Sequence, residues 1–160
     1  MAINLLPAGR VGKLAEVGAG AKGFFQGGTG AFLEGAEGGG ALGKLTDRQV
    51  NISDKGLSIV ETHLAQFGSV PENDLMISRL RSALAEGRPI DGADASFYIH
   101  ELSESTMMMR GFDYSKAHQG ALNKYQVSPY SVYHPDVINA INAIEPGSFN
   151  PNWLKFWSRQ

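Results

Sequence analysis

The sequence predicts a mainly α-helical fold: a compact domain of about five helices preceded by a glycine-rich lead segment. Three observations carry that prediction. From residue 50 onward, apolar residues recur every three or four positions, the period that lines one side of a helix. Ser, Asp and Pro stand where these runs begin, and Gly where they end. Period-two alternation, the mark of a half-buried strand, is scarce.

The lead segment comes first. Thirteen of the 20 glycines fall within residues 1–43. Glycine at that density carries a large backbone entropy cost on ordering. Residues 1–44 therefore read as a linker and 45–160 as the folded domain. Leu5, Leu6, Phe24, Phe25 and Phe32 make the linker more apolar than a solvated spacer. The spacing of Gly12 and Gly20 suits short helices packing on a partner or on the rest of a longer protein. The G-x-G patterns here follow no predicted strand and lack the Lys-Ser/Thr pair of a phosphate-binding loop.

The helices follow in order. Ser53 or Asp54 caps a first helix over 54–67, with Leu57, Val60, Leu64 and Phe67 on one stripe and Gly68 as its stop. Pro71 and Glu72 suit the first turn of a second, with Leu75, Met76, Leu80 and Leu84 inward and Gly87 at its end. Asp94 starts a third, running to about Arg110. Its apolar stripe is Ala95, Tyr98, Ile99, Leu102, Thr106 and Met109. Asp113 caps a fourth over 114–125, with Tyr114, Ala117, Ala121, Leu122 and Tyr125 inward. Residues 130–133 read as a short extended piece after Pro129. Pro135 opens a fifth helix to about Ile144. The tail 151–157 adds a turn or two, with Trp153, Phe156 and Trp157 clamping the chain end to the core.

Charge and composition narrow the function. The formal net charge is −2. No global field therefore draws the chain onto nucleic acid or an anionic membrane, and nucleic-acid chemistry would need a local basic patch. Arg79, Arg81, Arg88 and Arg110 are its candidates. There is no cysteine, which excludes disulfides and thiolate metal sites. No apolar stretch reaches the length of a membrane span. No G-x-S-x-G nucleophile signature occurs.

The third helix carries the informative cluster, His100-Glu101-Leu102-Ser103-Glu104. At 100° per residue, His100, Glu101 and Glu104 share the side opposite the apolar stripe, together with Phe97 and Met108. Those two apolar neighbours imply that something covers this polar face. A carboxylate beside an imidazole orients it and tunes its pKa for acid–base work. His118 falls inside the apolar stripe of the fourth helix, and the short turn at Gly111 permits it to meet His100 or Glu101. His134, between Tyr133 and Asp136, is a further catalytic candidate. Arg110, Tyr130 and Tyr133 are candidates for substrate binding, the arginine for phosphate and the tyrosines for stacking on a base. His63, at the edge of its stripe, reads as structural. A divalent metal is the alternative chemistry. The pattern H-E-x-x-H is departed from at its fifth position, which is Glu104. His100, Glu104 and His118 still compose a two-histidine, one-carboxylate set.

The residues Ile3-Asn4-Leu5-Leu6-Pro7-Ala8-Gly9-Arg10, with the Gly/Ala-rich stretch behind them, resemble the pretoxin linkers of bacterial polymorphic toxins. The block Phe97-Tyr98-Ile99-His100-Glu101-Leu102-Ser103-Glu104, then Ala117-His118, then 130–138, resembles C-terminal toxin modules of contact-dependent growth inhibition and filamentous haemagglutinin-like proteins. The resemblance implies a parent secreted or surface protein ahead of the domain, delivery into the cytoplasm of a neighbouring cell, and a cognate immunity protein. It also implies a nuclease, with nucleic acid as substrate. The other readings are a metal-dependent hydrolase at the same residues and a non-enzymatic binding or structural module of a large secreted or phage-borne protein.

Overall fold

The computed structural model describes residues 42–160, which are mainly helical. The expectations for residues 1–41 lie outside the described residues. The described elements are a 3₁₀ turn at Gly43–Leu45, then α1 (Asp54–Ala65), α2 (Pro71–Ala85), α3 (Gly92–Met109), α4 (Tyr114–Tyr125), a 3₁₀ turn at Pro129–Ser131, α5 (Pro135–Ile144) and α6 (Pro151–Trp157). The described residues contain no strand, only an isolated antiparallel bridge between Val50 and Ile90.

The helix boundaries follow local chemistry. Ser53 Oγ accepts the Gly56 amide at the start of α1, and Asp113 accepts the Lys116 amide at the start of α4. Each supplies a partner to an amide that has none within its helix. Proline opens α2, α5 and α6, where a missing N–H costs nothing. The start of α3 differs from expectation. The helix begins at Gly92, and Asp94 sits in its first turn, paired through both carboxylate oxygens with Arg79 of α2. Residues 130–133 also differ. Tyr130 and Ser131 complete a 3₁₀ turn begun at Pro129 and 132–133 form a bend, because Ser131 Oγ donates to the Ser128 carbonyl and accepts from Ser96 Oγ, which folds the segment back on α3.

The core gathers Leu57, Val60 and Leu64 of α1, Met76, Ile77 and Leu80 of α2, Phe97 and Tyr98 of α3, Leu122 of α4 and Ile138 of α5. Each such side chain contributes roughly 1.5–3 kcal/mol on burial. In α2 the inward side is rotated from expectation: Ile77 is buried while Leu75 is exposed.

Helix α3 is the central element. It packs against both α1 and α4, and also meets α2. A helix covered on several sides is buried nearly all round. Accordingly Ser96, Phe97, Tyr98, His100, Glu101, Ser103, Glu104 and Ser105 are all buried. The expected apolar stripe holds only in the N-terminal half. At its far end Thr106 and Met109 are exposed, and the polar side faces inward. The cover anticipated for that polar side is α1. Its close approach depends on Gly56, where a Cβ would overlap the Tyr98 hydroxyl.

Candidate metal centre

Three helices bring five titratable side chains together. α3 supplies His100, Glu101 and Glu104, α1 supplies His63, and α4 supplies His118. His63 lies seven residues, about two turns, beyond Gly56. The contact that Gly56 permits therefore sets His63 down on the same side of α1, over the carboxylates. His100 and Glu104 are one turn apart on α3. His118 is one turn into α4, reached across the Gly111 turn as the sequence permits.

Glu104 is the hub. Its Oε1 lies 2.8 Å from His63 Nε2, and its Oε2 lies 2.9 Å from His118 Nδ1 and 3.2 Å from His100 Nε2. The two imidazoles are themselves 3.0 Å apart, His100 Nε2 to His118 Nδ1. Glu101 Oε2 stands 3.6 Å from His63 Nε2. The side chains of His63, His100 and Glu104 are almost wholly enclosed, and that of Glu101 is 10% exposed. His118 is the most open, its side chain 12% exposed against 3% for Glu104. Tyr114 stacks on the His118 ring, and Phe67 sets its edge or face against both Tyr114 and His63. Two aromatic rings thus cover one side of the cluster.

Burial opposes ionisation of Glu104, but hydrogen bonds to His100, His118 and His63 outweigh it and hold this carboxyl well below the usual carboxylate range. Burial and the charge of Glu104 together push Glu101 well above that range. Burial lowers the pKa of His100, opposed by its bond to Glu104 and reinforced by His118. The two neighbouring carboxyls are therefore shifted in opposite directions. A buried carboxylate without such partners would cost far more than it returns.

The set His100 Nε2, Glu104 Oε2 and His118 Nδ1 forms a nearly equilateral triangle with edges of 2.9, 3.0 and 3.2 Å. Hydrogen bonding alone accounts for it poorly. A carboxylate oxygen only accepts, and each neutral imidazole has one N–H. At most two of the three edges are hydrogen bonds at any moment. A cation uses all three lone pairs at once. Donors bound at about 2.1 Å to one ion stand about 3.0 Å apart along an octahedral edge and about 3.4 Å apart in a tetrahedron. The observed edges fit three donors on one face of an ion, leaving its other positions open.

A ligating imidazole ordinarily gives its second nitrogen an outer partner. His63 Nδ1 instead accepts from Gln66 Nε2 at 2.9 Å, the same amide nitrogen donating to the His63 carbonyl at 2.8 Å. His100 Nδ1 is buried and has no partner among the described residues. An open groove of about 570 Å³ reaches His63 between α1 and α3, lined by Ile59, Thr62, Gln66, Ser105 and Met108 among others, with no Lys, Arg, Asp or Glu.

Four of the expected site residues, His100, Glu101, Glu104 and His118, are thus brought together. The others are not. His134 caps α5, its Nδ1 accepting the Asp136 amide, with Arg79, Asp94 and Asp136 as its charged neighbours. Tyr133 donates to Asn73 Oδ1 and packs among Phe97, Phe149 and Trp153, and Tyr130 packs on Trp153. Both phenols serve the aromatic core that α6 closes, as the clamp expected of Trp153 implies. Arg110 is exposed at the end of α3. The expected basic patch dissolves into pairs: Arg79 with Asp94 and Asp136, Arg81 with Glu61, Arg88 with Glu86. The residue that sequence reasoning missed is His63, expected to be structural. The signal was present, since a histidine four residues before Phe67 shares its inward side. Comparison with protein-family models, curated proteins and solved structures finds no match to the chain.

Proposed function

We propose that this chain is a metal-dependent hydrolase domain of a toxin delivered between bacteria, with a divalent ion held by His100, Glu104 and His118. The observation that carries the metal is the triangle of donor atoms, whose edges of 2.9, 3.0 and 3.2 Å fit a single ion better than a hydrogen-bond network. Bound there, a divalent ion would supply Lewis acidity and a water that ionises near neutral pH. The protein's own part is orientation. Glu104 is fixed at both oxygens, and His118 is held by the Tyr114 ring. Delivery and the immunity partner rest on the resemblance of the lead segment and of the 97–138 block to polymorphic toxins.

A metal-free nuclease using His100 and His118 as acid and base is less well supported. An acid and a base that act on opposite sides of a phosphate need the phosphate between them. Here the two nitrogens are in direct contact at 3.0 Å. The adjoining groove also has no cation for a polyanion. These features favour an uncharged substrate, such as an amide or peptide, over nucleic acid.

The test is inducible expression in a bacterial host, with growth, bound metal and the integrity of tRNA, rRNA and DNA followed together. Wild type is expected to inhibit growth and to carry divalent metal through purification. His100→Ala and His118→Ala are expected to lose both, with nucleic acids intact throughout. Toxicity equal to wild type in both variants, or purified protein without metal that takes none up, would sink the reading. Degraded RNA that depends on His118 would keep the site and change the substrate.

A further inference from the structure

We infer that the centre takes two divalent cations, the second held by His63, Glu101 and the other oxygen of Glu104. The inference rests on the metal reading above, but on different residues. Glu104 offers its two oxygens to two different groups of donors. Oε2 completes the triangle with His100 and His118, while Oε1 faces His63 Nε2 at 2.8 Å. His63, Glu101 and Glu104 each place a ligand atom within 4.8 Å of the others, as the first trio does, and all three are buried. A carboxylate that serves one ion through each oxygen is the usual bridge of paired-metal sites, whose ions stand about 3.5–4 Å apart.

The independent observation is Glu101. It is 8% exposed and faces into this second group. Its Oε2 stands 3.6 Å from His63 Nε2, longer than a hydrogen bond. A cation between Glu101, His63 and Glu104 Oε1 would use all three donors at once. In the metal-free chain Gln66 Nε2 donates to both His63 Nδ1 and the His63 carbonyl, so the ring proton sits on Nε2 facing Glu104 and is released when an ion binds there. Nitrogen and oxygen donors of this kind suit Zn²⁺ or Mn²⁺.

The experiment titrates the purified full chain with Mn²⁺ and counts bound ions by equilibrium dialysis, with electron paramagnetic resonance of the saturated protein. Wild type is expected to bind two ions per chain and to show the exchange-coupled signal of a bridged pair. Glu101→Gln, nearly the same shape as the native side chain, is expected to bind one ion with an uncoupled signal. His63→Gln is expected to do the same, and circular dichroism of each variant confirms its fold. His118→Ala tests the other site and should also lower the count. A wild-type count of one, unchanged in Glu101→Gln and His63→Gln but lost in His118→Ala, would overturn the second site and leave His63 as a residue that only positions Glu104. A count of zero in wild type would overturn both readings.

Discussion

Glu101 and Glu104 are three residues apart on one helix, yet their surroundings shift their pKa values in opposite directions. Burial opposes ionisation of both, but the three imidazoles that reach Glu104 favour its ionised form, while the charge of Glu104 further disfavours that of Glu101. The difference predicts unequal costs in metal-free protein. Glu104→Gln removes the charged acceptor from His63, His100 and His118. It is expected to lower stability by about 2–3 kcal/mol, the scale of a hydrogen bond to a charged group. Glu101→Gln replaces a carboxyl whose ionisation the fold disfavours with a neutral amide. Because the Glu101 pKa is raised on folding, the native chain must take up a proton above pH of about 4.5, which costs stability as pH rises. The glutamine variant is therefore expected to be no less stable than wild type at neutral pH. Urea denaturation of both variants after chelation checks the pair.

At the scale of the helix, two contacts decide where the polar groups go. Gly56 lets α1 lie against Tyr98. Alanine there would gain about 1 kcal/mol in helix propensity, but overlap with a rigid buried ring costs about 1–3 kcal/mol. Gly56→Ala is expected to be destabilising on balance, and adding Tyr98→Phe is expected to restore the loss, as thermal melting of the single and double variants would reveal. The start of α5 gives a pH dependence. His134 Nδ1 accepts the Asp136 amide, which only the unprotonated nitrogen can do. Burial and Arg79 depress its pKa, against the pull of Asp94 and Asp136. A depressed histidine contributes stability above its unfolded value and loses it as pH falls. Stability is expected to decline below pH of about 6.5 through this cap. His134→Asn keeps an acceptor at the cap without a proton to gain, and should flatten that part of the curve of stability against pH. The element boundaries themselves were legible from Ser53, Asp113, Pro71, Pro135 and the terminating glycines, because capping is local chemistry. The side of α3 that faces inward was only half legible. Periodicity assumes one buried side, and a helix enclosed by two neighbours has no single one, so Thr106 and Met109 were placed inward and are exposed.

Across the whole molecule, the donors come from α1, α3 and α4, so an ion at the centre ties three separate helices together. Ligand that binds only the folded state stabilises it. Metal at a hundredfold excess over its Kd is expected to raise Tm by roughly 10 °C, and a chelator to reverse the shift, as calorimetry would register. This tertiary convergence is also why the site was partly hidden in the sequence. His100, Glu101 and Glu104 are near neighbours along the chain, and His118 follows across one short turn. His63 lies 41 residues before Glu104, and nothing local announces the meeting. The same long-range packing assigned Tyr133 to the core and His134 to a helix start, although their sequence neighbourhood looked like a rim. Where the chain enters the domain has its own bearing. The turn at Gly43–Leu45 rests against the last residues of α4, Lys44 Nζ donating to the Lys124 carbonyl, whereas Tyr114 and His118 occupy the first turns of that helix. Lys44 thus anchors the start of the described chain about two turns of α4 away from His118.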